Sequence, residues 1–377
     1  MHASVRLLAT LARGLVLLIL AAWCGAAHAA PSPAVPDAAH AAVRAAIAVQ
    51  EQATPALLAE PGVLGTAVGL DAQGGIGIVV YIDQDHPRRD ELVRSLPPQL
   101  RGHAVTAELT EKFRAYAGKP GGGGGGGISY TAKQTPPIQL GTSGGWRQDL
   151  ANGYCCGGTL GSLIQVGGTQ YILSNYHVLE ADIVGGGNGV VATTGSAVIQ
   201  PGLIDISCNA NNGQNVGTLV QLSLLPARNV DASVAAVTSG MVRSDGAILG
   251  IGTLSSQTAA AFLNQAVKKS GRTTGLTRSS ISGLNATISV TYENECAGGT
   301  AFTKTYTGQI VIKNRRSGFL NSGDSGSLMV EDVATLPRAV GLLFAGSSTS
   351  AIANPIDEVL AEVGSAIAGS VATMVGN

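Results

Sequence analysis

The sequence predicts an all-β protein of two antiparallel β-barrels with a C-terminal helix, preceded by a small α+β domain. Three observations support this fold class. Glycine accounts for 52 of the 377 residues, whereas aromatic residues make up only 4%. Short apolar runs separated by turn residues fill most of the chain after residue 127. In that part only 355–374 has the pattern of a helix.

The first 29 residues have the pattern of an export signal. Arg6 and Arg13 flank the start of an apolar run at 15–22, and 27–29 (AHA) supplies small residues for cleavage. The apolar run is shorter than the roughly 20 residues that a membrane-spanning helix needs. We therefore expect a signal peptide over 1–29, no stable membrane anchor, and a secreted or periplasmic protein.

The segment 30–119 predicts the small α+β domain. An alanine-rich helix follows Asp37, which is placed as its N-cap, and runs to about residue 52. The further elements predicted are strands at 63–70, 76–82 and 103–109 and a helix at 85–96. A run of seven glycines then fills 121–127. Such a run predicts a flexible linker over 120–127 and a domain boundary.

The segment 128–377 predicts the barrels. Its expected strands lie at 159–166, 170–175, 216–222, 233–237, 284–292, 309–313, 327–330 and 339–344.

Cys155, Cys156, Cys208 and Cys296 follow the signal, and an even number in an exported chain predicts two disulfides with three possible pairings. The formal net charge of −1 gives no basic excess for nucleic-acid binding. No motif calls for a metal or another cofactor.

The heptapeptide 321–327 (NSGDSGS) offers a nucleophile. Glycines on both sides of Ser325 permit a sharp turn that exposes its hydroxyl. They also let the amides of Gly323 and Ser325 point into one small space, where two donors stabilise the oxyanion of a tetrahedral intermediate. A serine- and glycine-rich turn without any catalytic role is the alternative.

His177 is the only histidine after the glycine run, and it follows a strong strand pattern. Histidine is the commonest general base because its unperturbed pKa is about 6.5. A third residue must orient the imidazole, and Asp182, Asp205, Asp231 and Asp245 lie between His177 and the serine. We select Asp231 because it opens an apolar strand, whereas Asp205 and Asp245 are expected to be solvated in turns.

These features resemble the chymotrypsin/trypsin-like serine peptidases, in particular a bacterial secreted group. The order His, Asp, Ser with gaps of 54 and 94 residues is that of the family. The segments that carry the resemblance are 65–69 (GTAVG), 156–160 (CGGTL), 171–177 (YILSNYH), 199–202 (IQPG), 270–275 (SGRTTG), 341–346 (GLLFAG) and 353–356 (ANPI). The resemblance implies a chymotrypsin-like double barrel and a secreted serine endopeptidase acting on polypeptides.

The resemblance also assigns substrate-binding residues, and the chain departs from the family pattern at two positions. It places Phe344, Ala345 and Gly346 along the substrate and Phe319 at the specificity pocket, where an acid would give trypsin-like specificity. Phe344 stands where animal members carry a serine that bonds the triad aspartate. This second departure leaves a non-catalytic secreted binding or adhesion module as the alternative function.

Two further expectations concern regulation. The N-terminal domain is expected to cover the cleft or assist folding as a pro-segment, with a permanent accessory domain as the alternative. Asp324, the residue before the nucleophile, is expected to accept local backbone hydrogen bonds rather than a freed amino terminus.

Overall fold

Short β-strands make up most of the regular structure. The computed structural model describes residues 37–38, 40–115, 127–151, 154–180, 192–292 and 301–377. The expected signal peptide, most of the glycine run, Asp182 and Cys296 lie outside these ranges. The helices are α1 (Ala41–Leu58), α2 (Arg89–Ser95), α3 (Tyr176–Leu179) and α4 (Ile356–Ala368).

The strands follow in chain order. They are β1 (Val63–Leu70), β2 (Ile76–Asp83), β3 (Gln99–Leu100), β4 (His103–Thr110), β5 (Phe113–Ala115), β6 (Thr142–Trp146), β7 (Leu150–Ala151), β8 (Tyr154–Cys155), β9 (Gly158–Leu160), β10 (Ser162–Val166), β11 (Thr169–Ser174), β12 (Ala197–Gln200), β13 (Gln214–Val220), β14 (Ser233–Val237), β15 (Ala266–Gly271), β16 (Gly275–Tyr292), β17 (Phe302–Lys313), β18 (Leu328–Glu331), β19 (Ala339–Gly346), β20 (Ser350–Pro355) and β21 (Thr373–Met374).

The first barrel is an eight-stranded antiparallel sheet in the order β21-β10-β11-β14-β13-β12-β6-β9. Its β10–β11 hairpin turns at Gly167 and Gly168, which have φ of 54° and 85°. Both glycines are therefore in the left-handed region that such a turn requires. Leu163, Ile172 and Val234 are among the side chains buried inside this sheet.

The second barrel is a ring of six strands. β15, β18, β19, β20, β17 and β16 pair in that order, and pairing of β15 with β16 closes the ring. The sequence pattern predicted only the second half of β16. The first half contains 276–282 (LTRSSIS), which is largely polar and gives no apolar run. The two barrels and the C-terminal helix confirm the predicted fold class.

The C-terminal helix covers part of the core shared by the barrels. Val359 and Val363 of α4 belong to the same apolar cluster as the strands of the first barrel. The helix ends at Ala368 instead of continuing to residue 374, because Gly369 adopts φ of 63° and its N–H turns back to Ser365. The chain then adds β21 to the edge of β10.

The N-terminal strands extend the second barrel. β1 pairs antiparallel with both β2 and β16, and β4 runs parallel to β2. Gln50 of α1 bridges the two parts, since its side chain donates to Thr66 Oγ1 at 2.7 Å and accepts from Asn285 at 3.0 Å. The division between an N-terminal domain and the barrels stays a prediction.

The helix α1 starts later than the sequence suggests. It begins at Ala41, and His40 occupies the N-cap position without a side-chain capping bond. Asp37 instead accepts the His40 N–H at 3.0 Å, one turn before the helix. The prediction of Asp37 as N-cap is therefore wrong. No helix of the described ranges is long and apolar enough to cross a membrane.

A disulfide joins Cys155 to Cys208 across a sequence separation of 53. This bond is one of the disulfides that the sequence allowed but could not assign. Cys156 is disulfide-bonded as well.

Replacing Cys155 and Cys208 together by alanine removes a constraint on the unfolded chain. For a loop of this size, we expect the free energy of unfolding to fall by about 2–4 kcal/mol. Urea unfolding of the oxidised wild-type protein and the double variant measures the difference. Unchanged midpoints would show that this disulfide does not stabilise the fold.

Candidate active site

Two neighbouring strands of the first barrel bring His177 and Asp231 together. β11 ends at Ser174 and β14 begins at Ser233, and these two residues are paired. The segments that contain His177 and Asp231 therefore leave the sheet at the same end. His177 follows in α3, and Asp231 lies two residues before β14. The antiparallel register thus explains how residues 54 apart in sequence meet.

The contact between these two side chains fixes the tautomer of the neutral imidazole. His177 Nδ1 lies 2.6 Å from Asp231 Oδ2. A carboxylate only accepts, so Nδ1 carries the proton and the neutral ring keeps a lone pair on Nε2. Nε2 is buried and has no hydrogen-bond partner within the described ranges. The ring is therefore in the tautomer that a general base requires.

Asp231 is 0% exposed, and both its carboxylate oxygens are bonded. Oδ1 accepts the Tyr176 N–H at 2.8 Å, and Oδ2 accepts the Tyr292 hydroxyl at 2.9 Å besides the imidazole. The backbone is held too, because its N–H donates to Asn354 Oδ1 at 2.9 Å. Asn175 Nδ2 donates to its carbonyl at 2.6 Å. These bonds satisfy a buried charge that would otherwise be costly.

The sequence missed Tyr292 as a partner of Asp231. It identified Phe344 as a position without a hydroxyl and left open what donates there instead. Tyr292 ends β16, in the second barrel, 61 residues after Asp231. No local motif marks it, because its position depends on how the two barrels pack.

Ser325 lies in a turn that glycines make possible. Gly323 and Gly326 have φ of 92° and 91°. A Cβ on Gly326 would lie 2.3 Å from Ser174 Oγ, so the turn packs against the strand that leads to the histidine. Ser325 Oγ donates to the Phe344 carbonyl at 3.3 Å rather than to the imidazole. Rotation between staggered positions about Cα–Cβ redirects this hydroxyl.

Hydrogen bonds anchor the peptide planes on both sides of the serine turn. The carbonyl that precedes Gly323 accepts from Thr273 Oγ1 at 2.6 Å. The carbonyl that precedes Ser325 accepts from the Ser327 N–H at 3.0 Å. In a trans peptide the N–H points opposite to the carbonyl, so both amides face away from these anchors. The expected role of these two amides as an oxyanion hole stays a prediction.

A buried ion pair at Asp324 stabilises the turn that carries Ser325. The Asp324 carboxylate accepts the N–H groups of Thr273 and Thr274 at 2.9 and 3.1 Å. Lys269 Nζ lies 3.2 Å from its Oδ2, and both side chains are fully buried. Burial lowers the pKa of the Lys269 ammonium, an effect that Asp324 opposes. The local backbone bond expected at Asp324 is present, since Oδ2 accepts the Asn321 N–H at 3.0 Å. The sequence missed the remote amides and the cation.

The other acidic candidates are engaged elsewhere. Asp205 accepts from Arg272 Nε at 2.9 Å and from Nη2 at 2.5 Å, and it is nearly buried. The expectation that it is solvated is therefore wrong, because Arg272 cannot be buried without a counter-charge. Asp245 pairs with the exposed Arg243. In the part of the chain that the structure describes, no group of three or more potential ligands could hold a metal ion.

The expected substrate-binding residues fall into two places. Phe344, Ala345 and Gly346 form the end of β19, next to the serine turn. Phe319 lies 2% exposed in the core of the second barrel, and its role as a pocket wall stays a prediction. Gly346 pairs antiparallel with Arg114 of β5, which also pairs parallel with β16. A strand of the N-terminal region therefore fills the gap between β19 and β16.

Comparison with known proteins finds similarity in solved structures only. No protein-family model matches the chain, and no curated protein does. Thermobifida fusca protease A is 19% identical, with a TM-score of 0.39 over 64% of this chain and 99% of its own. A glutamic acid specific serine protease is 18% identical, with a TM-score of 0.38 over 63% and 100%. Cellulomonas bogoriensis chymotrypsin is 19% identical, with a TM-score of 0.37 over 64% and 99%.

The chain resembles bacterial chymotrypsin-like serine proteases. This is the group that the sequence motifs indicate, and the likeness concerns the fold.

Replacing Lys269 by methionine leaves the Asp324 charge buried without its cation. We expect the free energy of unfolding to fall by about 3–5 kcal/mol, as for other broken buried pairs. Lys268→Met on the same strand is the matched control, because that ammonium donates to the Val333 carbonyl at 2.6 Å instead. Denaturant unfolding compares the two variants. Equal losses would contradict a special role for the pair with Asp324.

Proposed function

We propose that this chain is a secreted serine endopeptidase that works through an acyl-enzyme intermediate. The observation that best supports it is the bond from His177 to the fully buried Asp231, which leaves Nε2 unpaired. A Cβ on Gly158 would lie 2.6 Å from Val178 and 3.0 Å from the Ser325 carbonyl. The residue after the base and the backbone of the nucleophile therefore pack against the same glycine.

The proposed reaction assigns one role to each of these residues. Ser325 Oγ attacks the peptide carbonyl while its proton passes to His177 Nε2. The Asp231 carboxylate stabilises the imidazolium that results, and the amides of Gly323 and Ser325 bind the oxyanion. The imidazolium then protonates the leaving amine. A water molecule, deprotonated by the same ring, releases the acyl group and restores the serine.

The surroundings of the site support a polypeptide substrate outside the cytosol. A strand end can bind an extended peptide by backbone pairing. The pairing of Gly346 with Arg114 of β5 supports this role for 344–346. A disulfide such as Cys155–Cys208 persists in oxidising compartments, which supports secretion or a periplasmic location.

We further propose that β5 covers the substrate-binding edge in the uncleaved chain. Its neighbours add side-chain bonds to the loop after β19, since Thr110 Oγ1 lies 2.6 Å from Ser347 Oγ and Glu111 accepts the Ser348 N–H at 3.0 Å. A peptide substrate paired along 344–346 would occupy the position beside Gly346 that Arg114 holds. The N-terminal region and a substrate therefore compete for one edge.

The second candidate function is a binding module without turnover. Two observations favour it: the serine hydroxyl bonds the Phe344 carbonyl, and the edge beside it is filled. The two candidates differ in the reactivity of Ser325, since only a peptidase activates this hydroxyl.

An active-site fluorophosphonate tests the peptidase proposal. We expect it to label the secreted protein at Ser325 and to lose at least about 100-fold in labelling rate in His177→Ala, because the general base is gone. Ser325→Ala removes the site, and Ser348→Ala serves as the control that retains it. Peptide mapping by mass spectrometry identifies the labelled residue. Equal labelling of the wild-type protein and the His177 variant would favour the binding module.

Proline at position 114 tests the cover. Arg114→Pro removes a backbone N–H and weakens the pairing with Gly346, so the full-length chain should cleave a short peptide substrate several-fold faster. Arg114→Ala keeps the N–H and is the matched control, with a rate nearer that of the wild type. Initial rates with a fluorogenic peptide decide. Identical rates in all three proteins would mean that β5 does not obstruct the substrate.

A further inference from the structure

The triad carboxylate is attached to a pair of tyrosines in the second barrel. The Tyr292 hydroxyl lies 2.9 Å from Asp231 Oδ2, and the Tyr306 hydroxyl lies 2.5 Å from that of Tyr292. Tyr292 is 3% exposed and Tyr306 is 0% exposed. The three polar groups therefore interact away from solvent, where each hydrogen bond counts for more than in water.

The direction of these bonds follows from chemistry. A carboxylate has no proton to give, so the Tyr292 O–H donates to Asp231. The Tyr292 oxygen then accepts from the Tyr306 O–H. Burial raises the pKa of both phenols, and the nearby Asp231 charge raises it further. Both hydroxyls therefore keep their protons and remain donors.

The backbone explains why the two tyrosines meet. Tyr292 ends β16 and Tyr306 lies on the partner strand β17, opposite Ile288. Residues 288 and 292 are an even number apart, so both rings project to the same face of the hairpin. The Phe344 ring packs against Tyr306 with 4.9 Å between ring centroids. Phenylalanine at position 344 thus packs against the pair and offers no hydroxyl of its own.

We propose that Tyr292 and Tyr306 form a donor relay that positions the Asp231 carboxylate for catalysis. The proposal rests on the endopeptidase function proposed above. Tyr292 is a positioning residue, because it acts on substrate only through Asp231 and His177. Tyr306 acts one step further away, by polarising and orienting the Tyr292 hydroxyl. The relay replaces a side-chain donor at position 344.

Other charged groups around the relay are few among the described residues. Glu180 is buried near Asp231, and burial raises the pKa of its carboxyl. Lys304 Nζ lies 5.0 Å from the centroid of the Tyr306 ring. The ring of His177 lies 6.0 Å from that of Tyr292. Removing one hydroxyl leaves these groups in place. A changed pH dependence therefore reports the loss of that hydroxyl.

Tyr292→Phe tests the relay in the full-length chain. The hydroxyl stabilises the Asp231 charge, so without it the carboxylate holds a protonated imidazole more strongly. We expect kcat to fall about 10- to 100-fold with KM unchanged, the effect of one hydrogen bond to a charged group. We also expect the acid limb of kcat/KM to move up by about half a pH unit or more. Tyr306→Phe should shift the limb in the same direction by less.

The control is Tyr171→Phe, which removes a hydroxyl in the first barrel without a described hydrogen bond to the triad. Its pH profile should match the wild type. If Tyr292→Phe does not fold, Tyr306→Phe decides the matter, because it leaves Tyr292 in place. A profile for both variants that matches the control would overturn the relay, even if rates fall.

A readout without catalysis separates this proposal from the peptidase proposal. In the Ser325→Ala background, the imidazole nitrogens of His177 are followed by NMR as the pH changes. We expect the titration of His177 to move to higher pH in Tyr292→Phe. A wild-type chain without peptidase activity would reject the proposed function, whereas an unmoved His177 titration would reject the relay.

Discussion

Burial of the Asp231 carboxylate is the constraint on which the site depends. A charge without exposure costs several kcal/mol unless donors surround it. The chain supplies these donors from the backbone of Tyr176, the imidazole of His177 and the hydroxyl of Tyr292. They come from both barrels, so the carboxylate is satisfied only when the barrels are assembled. The orientation of the imidazole therefore depends on the packing of both barrels.

The turn that carries Ser325 depends on the barrel interface as well. Thr159 of the first barrel donates its N–H to the Ser325 carbonyl and its hydroxyl to the Gly323 carbonyl, each at 2.9 Å. Ser174 Oγ in turn donates to the Thr159 carbonyl at 2.7 Å. The strand that leads to His177 therefore also holds the backbone around the serine. The N-terminal region adds a third part, since β5 completes the pairing of the edge beside this turn.

Local pattern was sufficient for much of the fold. Apolar runs located β1, β11 and β14, and the glycine pair at 167–168 located a hairpin. The same reasoning found His177 as a lone histidine after a strand and Asp231 at the start of one, and the structure joins these two side chains. It could not find Lys269, Tyr292 or the partner of Asp205. Each of these contacts is decided by the packing of strands remote in sequence, which no local pattern records.

A crystal structure of the protein reacted with a peptidyl boronic acid tests the central claim most directly. The tetrahedral adduct imitates the intermediate of the proposed acyl transfer. We predict a covalent bond to Ser325 Oγ, one boronate oxygen about 2.7–3.1 Å from the amides of both Gly323 and Ser325, and His177 still bonded to Asp231. An inhibitor bound without a bond to this serine, or an oxygen beyond reach of both amides, would contradict the account.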